Sequence, residues 1–209
     1  MRFYSTVFRA ACLILLPALV GCGDKPTRLY VLTADVANPG AVSAQGIPIG
    51  VGPVTLPKYL DRPQVVTRTA SNSLNQADLD QWGGDLSDNI TRVLATNLAN
   101  LLQTDRVSLY PWQDQVPIDY QVTLDVAKFE QDPDGSTALD TFWRLVNPSS
   151  GKVLVMRRSL YREKGSPVVT TGSGDAAARS YDAVAAAMSR NIEALSRDIA
   201  SEIRGRKGS

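Results

Sequence analysis

The chain of 209 residues contains no histidine. That absence removes Ser-His and Cys-His nucleophile pairs, histidine general bases and histidine-bearing metal centres in one step. Cysteine is nearly absent as well, with Cys12 and Cys22 alone, too few for a disulfide framework or a thiolate zinc site. No apolar run approaches the roughly 20 residues that a membrane-crossing helix needs. Charge of one sign is missing too: 22 basic residues stand against 21 acidic ones. A nucleic-acid partner is therefore not expected, because its footprint is a basic face or stripe. The short tail Arg204, Arg206, Lys207 is better placed to complement the negative end of a final helix.

What is present begins at the N-terminus. Arg2 and Arg9 form a basic region, Ala10 to Leu16 an apolar one, and Leu19-Val20-Gly21 a small-residue approach to Cys22. That order describes an export signal that is removed, leaving residues 22 onward. Pro17 interrupts the apolar stretch and Gly23-Asp24-Lys25-Pro26 follows it closely, so it does not span a bilayer. Loss of the signal takes Cys12 away, and roughly 185 residues remain, enough for one domain with its own core. With 44% apolar and 21% charged residues the remainder is globular in composition.

The mature chain reads as a tether with a first strand over 22–44 and a single α+β domain over 45–209. Leu29-Tyr30-Val31-Leu32 is the first strand. Ile47, Ile49 and Val51 alternate with small or polar residues and predict a second, and Val65 to Thr69 a third. Pro57 and Pro63 exclude a central strand between these two, so Leu56 to Pro63 is expected as an exposed turn or edge. Leu86, Ile90, Val93, Leu94, Leu98, Leu101 and Leu102 share one helical face, with Asp85 as N-cap and Asp88 completing an arrangement close to a capping box. After a short strand at Val107 to Tyr110, three long strands follow near 118–126, 136–146 and 152–162, forming a meander. A final helix reaches about Ile203, its buried stripe running through Tyr181, Val184, Met188, Ile192, Leu195, Ile199 and Ile203. The expected class is α+β: a mixed, mainly antiparallel sheet of about six to eight strands against two long amphipathic helices.

Carboxylates are the remaining chemical candidates, and each has a structural reading. Asp78, Asp80, Asp85 and Asp88 gather at the first helix, where acids meet the positive end of the dipole. Asp132-Pro133-Asp134-Gly135 begins like a calcium loop but lacks the later ligands, which favours a hairpin turn. Gly172-Ser173-Gly174-Asp175 precedes a helix as a phosphate cradle would, yet has no P-loop Lys-Ser/Thr, and an N-cap at Asp175 or Ser180 is the better reading. No catalytic residue, metal site or cofactor is expected. Tyr59 and Leu60 are candidates for partner contact if the proline-bounded loop is exposed; a loop folded back onto the domain edge would bury them instead. Trp82 is either a core plug or a binding platform.

Several segments together resemble the ABC-transport auxiliary lipoproteins of the PqiC type. The tetrapeptide Leu19-Val20-Gly21-Cys22 is similar to the bacterial lipobox. Leu29 to Leu32, Val51-Gly52-Pro53-Val54, Leu56 to Pro63, Leu79-Asp80-Gln81-Trp82, Ala187-Met188-Ser189 and Leu195 to Ala200 follow in family order. Gly83-Gly84 departs from the pattern, where relatives often carry a bulkier or acidic residue. The resemblance implies lipid on Cys22, a thioether diacylglycerol and an N-acyl chain such as palmitate, which makes the anchor permanent. It implies a non-enzymatic accessory role in intermembrane phospholipid transport: an outer-membrane lipoprotein facing the periplasm, receiving a tube of MCE-domain proteins, with a homo-oligomeric ring plausible. Gly23 rather than Asp after Cys22 favours the outer membrane. The alternative role is an outer-membrane assembly factor that partners a β-barrel.

Overall fold

The computed structural model describes residues 26–34, 43–112, 116–165, 167–168 and 175–207. The signal, Cys22 and Gly172-Ser173-Gly174 lie outside the described residues. In chain order the elements are β1 (Arg28–Tyr30), β2 (Ile49–Thr55), β3 (Gln64–Ala70), β4 (Ser73–Trp82), α1 (Leu86–Leu102), β5 (Val107–Leu109), β6 (Tyr120–Gln131), β7 (Thr137–Asn147), β8 (Lys152–Glu163) and α2 (Asp175–Lys207). The α+β class holds, with eight strands in one sheet and two helices packed against it.

Strand β6 organises the sheet. Its first half pairs in parallel with β2, its whole length pairs antiparallel with β7, and Gln131 at its end pairs with Thr67 of β3. Beyond these, β5 adds to β2 and β8 to β7, while β4 lies antiparallel to β3 and β1 parallel to β4. The meander of three long strands is β6–β7–β8. Along β6 the buried set is Val122, Leu124 and Val126, and a register shift between Val126 and Lys128 then moves it to Phe129 and Gln131. One extra residue switches the face that looks inward, because side chains alternate with period two.

The sequence order lacked one strand. Ser73 to Trp82 has no alternation and no β-branched residue, so its place in the sheet comes from partners: Leu74 to Gln76 pair with β3, and Asp80 to Trp82 with β1. Asp78 and Asp80 therefore belong to β4 and not to the helix cap. Asp85 does occupy the N-cap in extended conformation, but its side chain makes no capping hydrogen bond. Its carbonyl takes up the load, accepting from the backbone N–H and the side-chain amide of Asn89, each at 3.0 Å.

The final helix buries its whole predicted stripe, and the first buries its stripe as far as Leu98, with Leu101 and Leu102 half-buried at its end. In α1 Leu86, Ile90, Val93, Leu94 and Leu98 are buried, and in α2 all seven stripe residues are. Each such side chain contributes about 2 kcal/mol on leaving water. Between the helices Asn97 donates to Ser196 Oγ, which in turn donates to the carbonyl of Ile192.

The flank of α2 runs along β8 through polar pairs: Arg190 with Glu163, Asp198 with Tyr161, Glu202 with Arg157. From Arg157 to Glu163 the strand advances about 20 Å, and from Arg190 to Glu202 the helix advances about 18 Å. The two spacings match, so helix and strand run antiparallel with the contacts in step. The C-terminal cations serve neighbouring elements: Arg204 donates to the carbonyl of Leu101 at the end of α1, and Arg206 to that of Leu154 in β8.

Trp143 sits fully buried on β7, its indole N–H donating to Ser159 Oγ at 3.1 Å. Trp143→Ala is expected to lower unfolding stability by about 3–5 kcal/mol, whereas Arg144→Ala on the exposed face changes it by no more than about 0.5 kcal/mol. Urea titration of both variants checks the contrast.

Candidate functional site: the root of the tether and the proline-bounded loop

The segment that follows the expected lipid attachment enters the fold through β1, a strand of three residues. A ladder that short holds little by itself. Its strength lies in side chains: Arg28 grips Asp80 with two bonds, Nε to Oδ1 and Nη2 to Oδ2, both 2.7 Å. Tyr30 adds a third, its hydroxyl donating to Asp80 Oδ1 at 2.8 Å. Asp80 is buried, so a two-pronged guanidinium is the partner that best satisfies its oxygens. The hydrogen bond from Arg28 to Asp80 pushes the guanidinium pKa up. Burial, then the bond to Asp80, pushes the Tyr30 phenol up to about 12. From here β1 runs onto α2: Tyr30 packs against Tyr181 with ring centroids 6.2 Å apart, and the Thr33 N–H donates to Ser189 Oγ at 3.0 Å.

The proline-bounded loop folds back onto the domain edge. Leu60 is 3% exposed, in the core, and Tyr59 is half-buried. The Tyr59 hydroxyl donates to Glu130 Oε2 at 2.8 Å, and Arg68 donates to Oε1 through Nε and Nη2 at 2.9 and 2.7 Å. Glu130 is fully buried on β6, and its carboxylate joins the loop, β3 and β6. Burial first, then the charge of Glu130, pushes the Tyr59 phenol well above its ordinary range.

Trp82 is 4% exposed and lies where the two regions meet. Its N–H donates to the carbonyl of Pro63 at the end of the loop, and the Gly83 N–H donates to that of Tyr30, both at 2.7 Å. Gly84 has φ +122°, a conformation that favours glycine, and a Cβ on Gly83 would stand a tight 3.1 Å from Val31 Cγ1. Of the three residues considered for partner contact, Tyr59 alone is partly exposed; Leu60 and Trp82 support the loop from behind.

The other carboxylates resolve into structure. Asp134 Oδ1 accepts from the Ser136 N–H and hydroxyl in the β6–β7 turn, and these bonds hold its pKa down. Asp132 pairs with Lys128 and Arg162. Sequence reading missed Arg28, Asp80, Arg68 and Glu130 as partners. Arg28 and Asp80 stand 52 positions apart and Arg68 and Glu130 62, and no local pattern links residues at such separations.

With this geometry in place, the chain can be compared with known proteins. The family model for the ABC-type transport auxiliary lipoprotein component matches residues 30–200. The chain belongs to this family. The match starts inside β1 and ends in α2, so it takes in the latch partner Asp80, the loop and Trp82. Two solved structures share the fold. One, described as an uncharacterized protein, superposes with a TM-score of 0.64 at 19% identity, covering 86% of this chain and 99% of its own. The other, a DUF330 protein from Xanthomonas campestris, gives 0.62 at 17% identity, covering 87% and 98%. No curated protein matches the sequence.

Two outcomes follow from these networks. Arg68→Ala strands a buried carboxylate and is expected to cost about 3–5 kcal/mol, while Arg68→Met with Glu130→Leu is expected to be far less damaging than the sum of the single changes; chemical denaturation of the cycle checks it. Tyr30 keeps its proton more tightly when folded than unfolded. Its stabilising contribution is therefore complete below about pH 10 and lost as pH rises through about 12. Tyr30→Phe should flatten that alkaline decline, measured by denaturation midpoints across the range.

Proposed function

We propose that this chain is a lipid-anchored accessory subunit of an intermembrane phospholipid transport system, fixed by Cys22 to the periplasmic face of the outer membrane, where it docks a tube of MCE-domain proteins. The observation that carries the reading is the family match over residues 30–200 directly downstream of the lipobox-like Leu19-Val20-Gly21-Cys22. The role is positional. A folded domain held at the membrane binds the end of the tube, so that phospholipid passes without crossing water and membrane integrity is maintained. No catalytic step or cofactor is assigned.

The mechanism asks for a stiff connection between anchor and docking surface, and the Arg28–Asp80–Tyr30 cluster is built for that. The loop carrying Tyr59 is put forward as part of the docking surface, with exposed Lys58 and Asp61 beside it and with Leu60 and Trp82 holding its shape. Several copies arranged as a ring would present this loop repeatedly to a tubular partner.

Crosslinking in native membranes followed by purification is expected to recover an MCE-domain protein, and Lys58→Glu with Asp61→Lys is expected to reduce that yield without changing thermal stability. Recovery of an outer-membrane β-barrel in place of an MCE protein would favour the assembly-factor role instead.

A further inference from the structure

Exposed apolar side chains gather at two places in the fold. One is the outer face of the β7–β8 ribbon, where Phe142, Met156 and Leu160 are exposed. The other is the first strand, where Leu29 is 66% and Val31 52% exposed. Isolated exposed leucines are ordinary, but these two alternate with inward-facing Arg28 and Tyr30 on one short extended segment, so both point out from the same side. Solvent-facing positions of an edge strand usually carry charge. On β1 the charge, Arg28, is turned inward to Asp80, and the apolar pair is turned out.

Position in the chain says what lies against them. Cys22 precedes Leu29 by seven residues and Val31 by nine, and seven residues fully extended reach at most about 25 Å. A domain tied to a bilayer by so short a tether keeps its first strand within about 25 Å of the bilayer surface. The contact is then intramolecular, and a short tether supplies a high effective concentration. Two apolar side chains, too few to bind a free protein, suffice to choose an orientation.

We propose that β1 is the edge on which this domain rests on the membrane, with Leu29 and Val31 seated in the interfacial layer of the phospholipid surface that holds Cys22; this deepens the reading of Cys22 as the anchor and rests on it. Charge on the adjoining surface suits phospholipid headgroups. A groove beside Val31 is lined by Asp85, Asp88 and Arg92, two carboxylates and one guanidinium, which suits the ammonium of a zwitterionic headgroup with its phosphate toward Arg92.

Placement of the second apolar patch follows from α2. Thr33 meets α2 at Ser189 and Arg157 of β8 meets it at Glu202, a separation of about 20 Å along the helix axis. The Met156 end of the β7–β8 ribbon, beside Arg157, therefore lies far from β1 along the helix, while its Glu163 end returns to Arg190, next to Ser189.

The experiment uses the mature lipoprotein in vesicles of phosphatidylethanolamine with a minority of phosphatidylglycerol. The acylated Cys22 does not react with maleimides, so Leu29→Cys and Met156→Cys each accept one environment-sensitive fluorophore. Flotation with the vesicles reads the anchor, and emission reads the surface. The expected result is flotation of both, with blue-shifted emission and lost iodide quenching at position 29 and neither change at position 156. Flotation with the position-29 label as accessible to iodide as the position-156 label overturns the proposal and leaves the anchor standing. Shielding at position 29 in the non-acylated Cys22→Ser protein in detergent-free buffer also overturns it and assigns β1 to a protein contact. Failure to float overturns the anchor and the proposal together.

Discussion

The buried stripe of α2 is the constraint on which the remaining structure depends. Seven large side chains from Tyr181 to Ile203 are buried on one face of a single helix, which is in contact with α1, β1, β6, β7 and β8. The meander β6–β7–β8 is paired along most of its length, but β1 and β5 have three residues each and β3 meets β6 at one position. The helices back the two short strands, β1 against α2 and β5 against α1. The polar seam between α2 and β8 then sets the sliding register that apolar contacts leave free, since hydrogen-bonded ion pairs are directional and apolar burial is not.

Against that frame the two buried carboxylates act as clasps. Asp80 secures the tether's root, and Glu130 secures the proline-bounded loop; both use an arginine fork and a tyrosine hydroxyl. Buried ion pairs add little net stability against apolar residues of the same size, and what they impose is geometry. For the positional role proposed above, geometry is the useful product. Trp82 links the clasps, accepting no polar role of its own in the side chain while its backbone and that of Gly83 bind Pro63 and Tyr30. The first strand, the loop and the end of β4 are therefore joined through backbone hydrogen bonds.

This arrangement gives the accessory role a physical form. In the proposed role, a root strand clasped at Asp80 and a loop clasped at Glu130 would carry the position of the anchor to the docking surface.

The sequence alone determined the helices, because a 3.6-residue period of large apolar side chains has one low-energy solution: Leu86 to Leu98 and Tyr181 to Ile203 are buried as their spacing requires. It likewise determined the β6–β8 meander, where alternation and turn residues agree, and the α+β class. Tertiary structure alone decided the rest. Strand β4 has no period of its own and exists through pairing with β3 and β1; Leu60 turned inward although its prolines allowed either outcome; and Asp80 became a clasp although it stands beside a helix start. For Asp80 and for the outer pairing of β4 the partner is β1, 52 positions away, and a contact at that separation leaves no trace in local spacing.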